Sequence, residues 1–159
     1  MNIEPLENDR IDAVVELSLQ AWAPVFESIE RTLHPDLFRR SYPDGWRASQ
    51  QQAVTDVCSS GEFEVFTANE GDETLGFIAI RLDEKTKMGE IYMIAVDPDK
   101  QGRGIASVLT EFALTRMKTA GMEVAMVETG ADPGHEPARR TYEKAGFHPW
   151  PAVKYFKYL

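Results

Sequence analysis

The segment Val96-Asp97-Pro98-Asp99-Lys100-Gln101-Gly102-Arg103-Gly104-Ile105-Ala106 combines residue types and spacing that point to anion chemistry. An apolar stretch runs into two glycines. Helical spacing then begins with Ile105, Val108, Leu109, Phe112, Ala113 and Met117. Glycine lets backbone approach a ligand closely. The first N–H groups of a helix lack partners within it, and the helix dipole adds positive potential there. Such a turn is a ready anion site, and Lys100 and Arg103 add cationic charge beside it. A nucleotide P-loop needs Gly-Lys-Ser/Thr after its second glycine, which is missing. A dinucleotide fingerprint fails at Ser107, where a third glycine is required. Beside a weak dinucleotide reading, the residues leave a cradle for an anionic ligand, or a helix start that uses glycine for a tight turn.

Two more runs flank this turn. Before it comes Gly89-Glu90-Ile91-Tyr92-Met93-Ile94-Ala95-Val96; after it, Ala138-Arg139-Arg140-Thr141-Tyr142-Glu143-Lys144-Ala145-Gly146-Phe147 has the form A-x-x-x-Y-x-x-x-G-F. With all three at family spacing, the sequence resembles the GNAT superfamily of N-acetyltransferases, closely over about residues 60–150 and more loosely towards both ends. The first run looks like the fourth strand of that fold. The loop is similar to its diphosphate pattern, Gln/Arg-x-x-Gly-x-Gly/Ala, through Gln101, Gly104 and Ala106, with Gly102, Arg103 and Ile105 between them. The third run looks like its motif B. One position departs: three residues before Ala138 the family usually has Asn, whose amide contacts the CoA arm, and here stands His135. An imidazole either replaces that amide by donating or accepting a hydrogen bond, or caps the helix that follows.

The resemblance implies an acyl-CoA N-acyltransferase (GNAT) fold and direct transfer of acetyl from acetyl-CoA, as co-substrate and without a metal, to an amine. Such a transfer requires that an ammonium, titrating at about 10.4, lose its proton. The carbonyl oxygen must meet aligned donors, and the departing thiolate is best protonated. Tyr142, at the motif B tyrosine, is the expected acid; the plain alternative is a core tyrosine. Glu90 matches the place where some histone-type relatives carry a base acting through water; the alternative is a solvent-facing strand residue. The main chain of Ile94, Ala95 and Val96 is expected to pair with pantetheine lying like an extra strand. Arg139 and Arg140 either meet the 3′-phosphate or remain solvated. In the family the acceptor usually sits between the N-terminal helices and the last strands. Here that implies Trp22, Phe26, Tyr42 and Trp46, with Tyr155 and Tyr158 from the tail, around a primary amine of a small molecule or peptide, cationic in character. The plain alternative for Trp22 and Phe26 is that of core residues at helical spacing. Binding of acetyl-CoA without turnover, as a sensor or interaction module, stays open, as does transfer of another acyl group. The resemblance is also the basis for expecting a homodimer.

The elements that position these residues follow from period and punctuation. Met1–Leu6 reads as a strand, and Asp9 as the N-cap of a helix carrying Ile11 to Ile29, which Pro24 kinks or divides. Pro35 opens a short helix, Tyr42–Gly45 is a turn, and 46–59 is a helix stopping near Gly61. Strands are expected at 63–67, 75–82 and 87–96 as an antiparallel meander. In the last of these, Ile91, Met93 and Ala95 share one side, and Tyr92, Ile94 and Val96 the other. A helix from Gly104 to Gly121 leads to strand 124–127, which the crossover makes parallel to its neighbour. A short helix over 137–145 and a final strand over 152–158 complete an α+β domain with a mixed central sheet flanked by helices.

Composition agrees with one domain spanning 1–159. The chain has 43% hydrophobic and 27% charged residues, which argues against disorder. One cysteine, Cys58, excludes an intrachain disulfide and a Cys-rich zinc site. The net charge of −9 is uneven: residues 1–70 hold 13 acidic and 5 basic side chains, against 13 and 12 in the remainder. That surface repels phosphate backbones, so nucleic acid is not an expected partner, and it attracts cations. With neither an apolar span nor a basic-then-apolar leader, no membrane partner is expected and the expected location is cytoplasmic.

Overall fold

A central sheet with two apolar faces needs cover on both, and the helices here divide between them. The computed structural model describes residues 1–159. Strands β1 (Asn2–Pro5), β2 (Glu64–Glu70), β3 (Glu73–Asp83) and β4 (Met88–Val96) form an antiparallel meander, and β5 (Val124–Val127) adds parallel to β4. Helices α1 (Ile11–Thr32), α2 (Pro35–Ser41) and α3 (Trp46–Ser59) precede β2. Helix α4 (Ile105–Thr119) makes the crossover from β4 to β5, and α5 (Glu136–Lys144) follows. The mixed α+β sheet expected from the sequence is the sheet that forms.

Each face has its own core. Ile78, Ile80, Ile91 and Val96 pack with Leu109, Ala113 and Met117 of α4. Phe77, Ala79 and Ala95 pack on the opposite face with Val14 and Leu17 of α1 and Val54 and Val57 of α3. Fully burying such side chains stabilises by about 1.5–3 kcal/mol each.

Four local expectations are corrected. In β4 the register steps from Ala79↔Met93 to Ile80↔Ile91, so Tyr92 is a bulge residue. One extra residue reverses the alternation: Ile91 therefore shares a face with Ile94 and Val96, while Met93 and Ala95 face α1 and α3. Asp9 does not cap α1; it lies in a 3₁₀ turn over Asn8–Arg10, and the helix starts at Ile11 without a side-chain cap. Pro24 does not divide α1, which runs unbroken for 22 residues. The final strand over 152–158 does not form. Pro149 and Pro151 remove donors at its approach, no strand pairs with the far edge of β5, and Val153, Tyr155 and Phe156 lie exposed.

Candidate functional site

The end of β4 is held by the loop that follows it. Asp97 accepts from the Asp99 N–H at 2.8 Å, capping a 3₁₀ turn over Pro98–Lys100. The Gln101 amide donates back to the Val96 carbonyl at 3.2 Å, so this side chain fixes the loop to the strand. Gly102 (φ 78°) and Gly104 (φ 79°) then turn the chain through left-handed conformations costly for other residues. Gly104 is the N-cap of α4 and provides no side chain to cap it. From Gly102 to Ser107 no backbone N–H donates a hydrogen bond within the chain; the first to do so is Val108, to the Gly104 carbonyl at 3.1 Å. A row of free donors at a helix N-terminus matches the oxygens of a diphosphate.

The cationic residues of this loop already have partners. Arg103 pairs with Glu70 and Lys100 with Glu73, both at 2.8 Å, across to the β2–β3 hairpin. The hydrogen bond from Arg103 holds the Glu70 carboxyl below its ordinary value, and Glu73 likewise raises Lys100.

Strand β5 pairs with β4 only from Met88↔Val124 to Ile91↔Val127. Beyond Ile91 the two strands part, and the β5-side edge of β4 over 92–96 has no strand beside it. Of Ile94, Ala95 and Val96, Ile94 lines a cavity of about 260 Å³, while Ala95 and Val96 are buried in the two cores. Trp22, Phe26, Tyr42, Ile94, His135 and Tyr142 are among the residues lining that cavity.

Tyr142 is 7% exposed, and burial pushes its phenol up to about 12, so it keeps its proton at neutral pH. Phe26 is the hub of the aromatic wall, stacked on Trp46 at 4.5 Å and edge-on to Tyr42 at 5.3 Å. Trp46 sits behind the wall under the Arg47 guanidinium. Tyr155 and Tyr158 lie on the exposed tail, Tyr158 beside His34. Neither lines the cavity.

Three expected site residues are engaged elsewhere. Glu90 is not in the cavity wall; its carboxylate accepts from Arg81 at 2.5 Å. Arg139 donates to the carbonyls of Gly130 and Asp132 at 2.6 and 2.8 Å, clamping the loop before α5. Arg140 pairs with Glu136 one turn back. His135 makes no side-chain cap to α5, which removes the capping alternative. Its ring lines the cavity, and its Nδ1 meets Asp132 at 2.5 Å.

Sequence reasoning missed four residues. Glu128, at the end of β5, is a carboxylate in the cavity wall. Gln50 of α3 is 8% exposed, lines the cavity, and has an amide nitrogen that is buried without a partner. The signal was its place on the apolar stripe Trp46, Gln50, Val54. Asp132 and Ser28, bonded at 2.7 Å, meet only through the fold. A larger cavity of about 370 Å³, beside Cys58, Glu64 and Arg116, has no resident beyond these of evident chemistry and lies on other elements. There burial pushes the Cys58 thiol up to about 11, which makes it unreactive.

Residues 30–147 match the model of the acetyltransferase (GNAT) family. Among curated proteins, the chain is similar to mycothiol acetyltransferase of Actinosynnema mirum, 36% identical over 81 residues, covering 51% of this chain and 26% of that protein. The match thus spans about a quarter of that relative's length. Among solved structures, it is similar to the ribosomal-protein-S18-alanine N-acetyltransferase of Escherichia coli, with TM-score 0.68, 19% identity, and coverage of 94% of this chain and 79% of that one. The aminoglycoside 6′-N-acetyltransferase of Acinetobacter haemolyticus matches with TM-score 0.69 and 16% identity over 100% and 99% of the two chains. At these identities the structural likeness bears on the fold.

Proposed function

The chain belongs to the acetyltransferase (GNAT) family, and from that premise we propose that it transfers the acetyl group of acetyl-CoA to an amine of a small molecule or peptide, in the cytoplasm. The observation that carries this reading is the row of unpartnered N–H groups from Gly102 to Ser107, opening beside an uncovered strand edge.

The residues present suit acetyl-CoA. Backbone donors of Gly102, Arg103, Gly104, Ile105, Ala106 and Ser107 receive the diphosphate, and Arg103 exchanges Glu70 for it. On the edge of β4 that β5 leaves uncovered, the main chain of Ile94 and Val96 faces outward and pairs with the amides of the pantetheine arm, while Ala95 between them is bonded to β3. That arm brings a thioester, whose carbonyl carbon accepts an amine. Tyr142 then gives its phenolic proton to the departing sulfur; a phenol held at about 12 is well protonated for that task. Trp22, Phe26 and Tyr42 offer aromatic faces, and Glu128 a carboxylate, to a cationic acceptor.

The test is thiol release from acetyl-CoA across polyamines, aminoglycosides, amino acids and peptide amines. Release with at least one amine, and an acetyl mass added to it, is expected. Binding of acetyl-CoA with no release from any of them would instead make the chain a binding module.

A further inference from the structure

The loop before α5 is built around one imidazole. Asp132 Oδ1 meets His135 Nδ1 at 2.5 Å, and the other Asp132 oxygen accepts from the Ser28 hydroxyl at 2.7 Å and the Gly134 N–H at 3.0 Å. Partial burial raises the Asp132 carboxyl, but the bonds from Ser28, His135 and Gly134 outweigh it and hold the group below its ordinary value. An ionised Asp132 accepts a proton-bearing Nδ1, which fixes the tautomer and leaves Nε2 with its lone pair. The packing has little slack: a Cβ on Gly130 would lie 2.4 Å from His135 Nδ1 and 2.5 Å from Asp132 Oδ1. Arg139 ties down the carbonyls of Gly130 and Asp132 from behind. The ring so held is 21% exposed and forms part of the wall that also contains Tyr142.

We propose that His135, oriented by Asp132, is the general base that takes the proton from the acceptor ammonium; the proposal rests on the acetyl-transfer reading above. His135 Nε2 removes one proton from R–NH3⁺ and becomes an imidazolium balanced by Asp132. The freed nitrogen lone pair forms the C–N bond at the thioester carbon as the C–S bond breaks. The thiolate takes the Tyr142 proton, and the second proton shed by the nitrogen restores the phenol. His135 returns its proton to solvent, so the products are the amide, the thiol of CoA and one proton.

The other titratable groups around the cavity are Glu128 at the end of β5, Tyr92 on the β4 bulge, Tyr42 between α2 and α3, and Tyr142 on α5. The wall residues of α1 and α3 are uncharged. Glu128 is 76% exposed beside Lys154, and a solvated carboxylate is a poor acceptor for an ammonium proton at neutral pH. Imidazole is the side chain whose charge changes in the working range.

His135→Asn separates a base from a contact to the CoA arm. Asn keeps the hydrogen-bonding capacity that the resemblance assigns to this position, but it cannot take up a proton. At pH 7 the variant is expected to lose about 100-fold or more in kcat, with the KM for acetyl-CoA nearly unchanged. The deficit should shrink as pH approaches the amine's own titration at about 10, where free amine needs no base. A near-wild-type kcat, or a deficit that stays constant with pH, overturns the proposal while leaving acetyl transfer intact. Nitrogen-15 spectra of the free protein give a second readout. They should show the Nδ1–H tautomer of His135, lost in Asp132→Asn; an Nε2–H tautomer would overturn the assignment. Absence of transfer by the unaltered chain at every pH would instead remove the acetyl-transfer reading, and this proposal with it.

Discussion

Single residues show where chemistry was readable and where it was not. Tyr142 was legible because it sits in a run of fixed spacing, and the fold gives it a burial that suits an acid. Tyr142→Phe is expected to lower kcat about 100-fold with little change in the KM for acetyl-CoA; steady-state kinetics with turnover near wild type would remove it as the acid. Its titration at about 12 also means that no alkaline loss near neutrality comes from this group, since its proton is lost only as pH rises through that value. Gln50 was readable only as an anomaly, an amide on an apolar stripe. A buried donor without a partner costs about 1–3 kcal/mol. Gln50→Leu is therefore expected to leave the melting temperature unchanged or higher while raising the KM for the acceptor. A marked fall in thermal stability would show that the amide is satisfied within the chain. Ser28 and Asp132 stand 104 residues apart, so no local pattern announces their bond.

At the level of elements, period and punctuation located the strands and helices, and tertiary pairing decided their details. A bulge leaves no signature in a run of apolar residues, so Tyr92 reversed the side assignment of β4 without warning. The tail has the alternation of a strand, yet a strand exists only with a neighbour, and the sheet stops at β5. Pro24 shows the opposite outcome, with a helix passing through a residue that ordinarily interrupts it. The loop between β4 and α4 was the most legible piece because its glycines are needed for its conformation. Its cations were less so: the hairpin carboxylates Glu70 and Glu73 pair with Arg103 and Lys100. Glu70 therefore competes with an incoming diphosphate. Since exposed pairs of this kind are weak, Glu70→Gln is expected to tighten CoA binding by about 2- to 5-fold. Weaker binding in a calorimetric titration would mean that Glu70 instead orders Arg103 for the ligand.

Across the whole molecule, the two cores give the parts their places. One clamps α4 and its free N–H groups to the sheet; the other seats α1 and α3, with their aromatic residues, over the opposite face. Strand β5 leaves β4 after Ile91, and the cavity that Tyr142 and His135 line includes Ile94 of the uncovered stretch; on the proposed function this is the way by which a donor anchored at the glycine loop would reach it. No helix is long and apolar enough to cross a membrane. All of this depends on the loop's recognising a diphosphate. Isothermal titration of the folded protein with coenzyme A, beside pantetheine as the arm without the diphosphate, tests that directly. Saturable one-to-one binding of coenzyme A, with pantetheine binding far more weakly, is the predicted result. No heat with coenzyme A, or equal affinity for both, would contradict it.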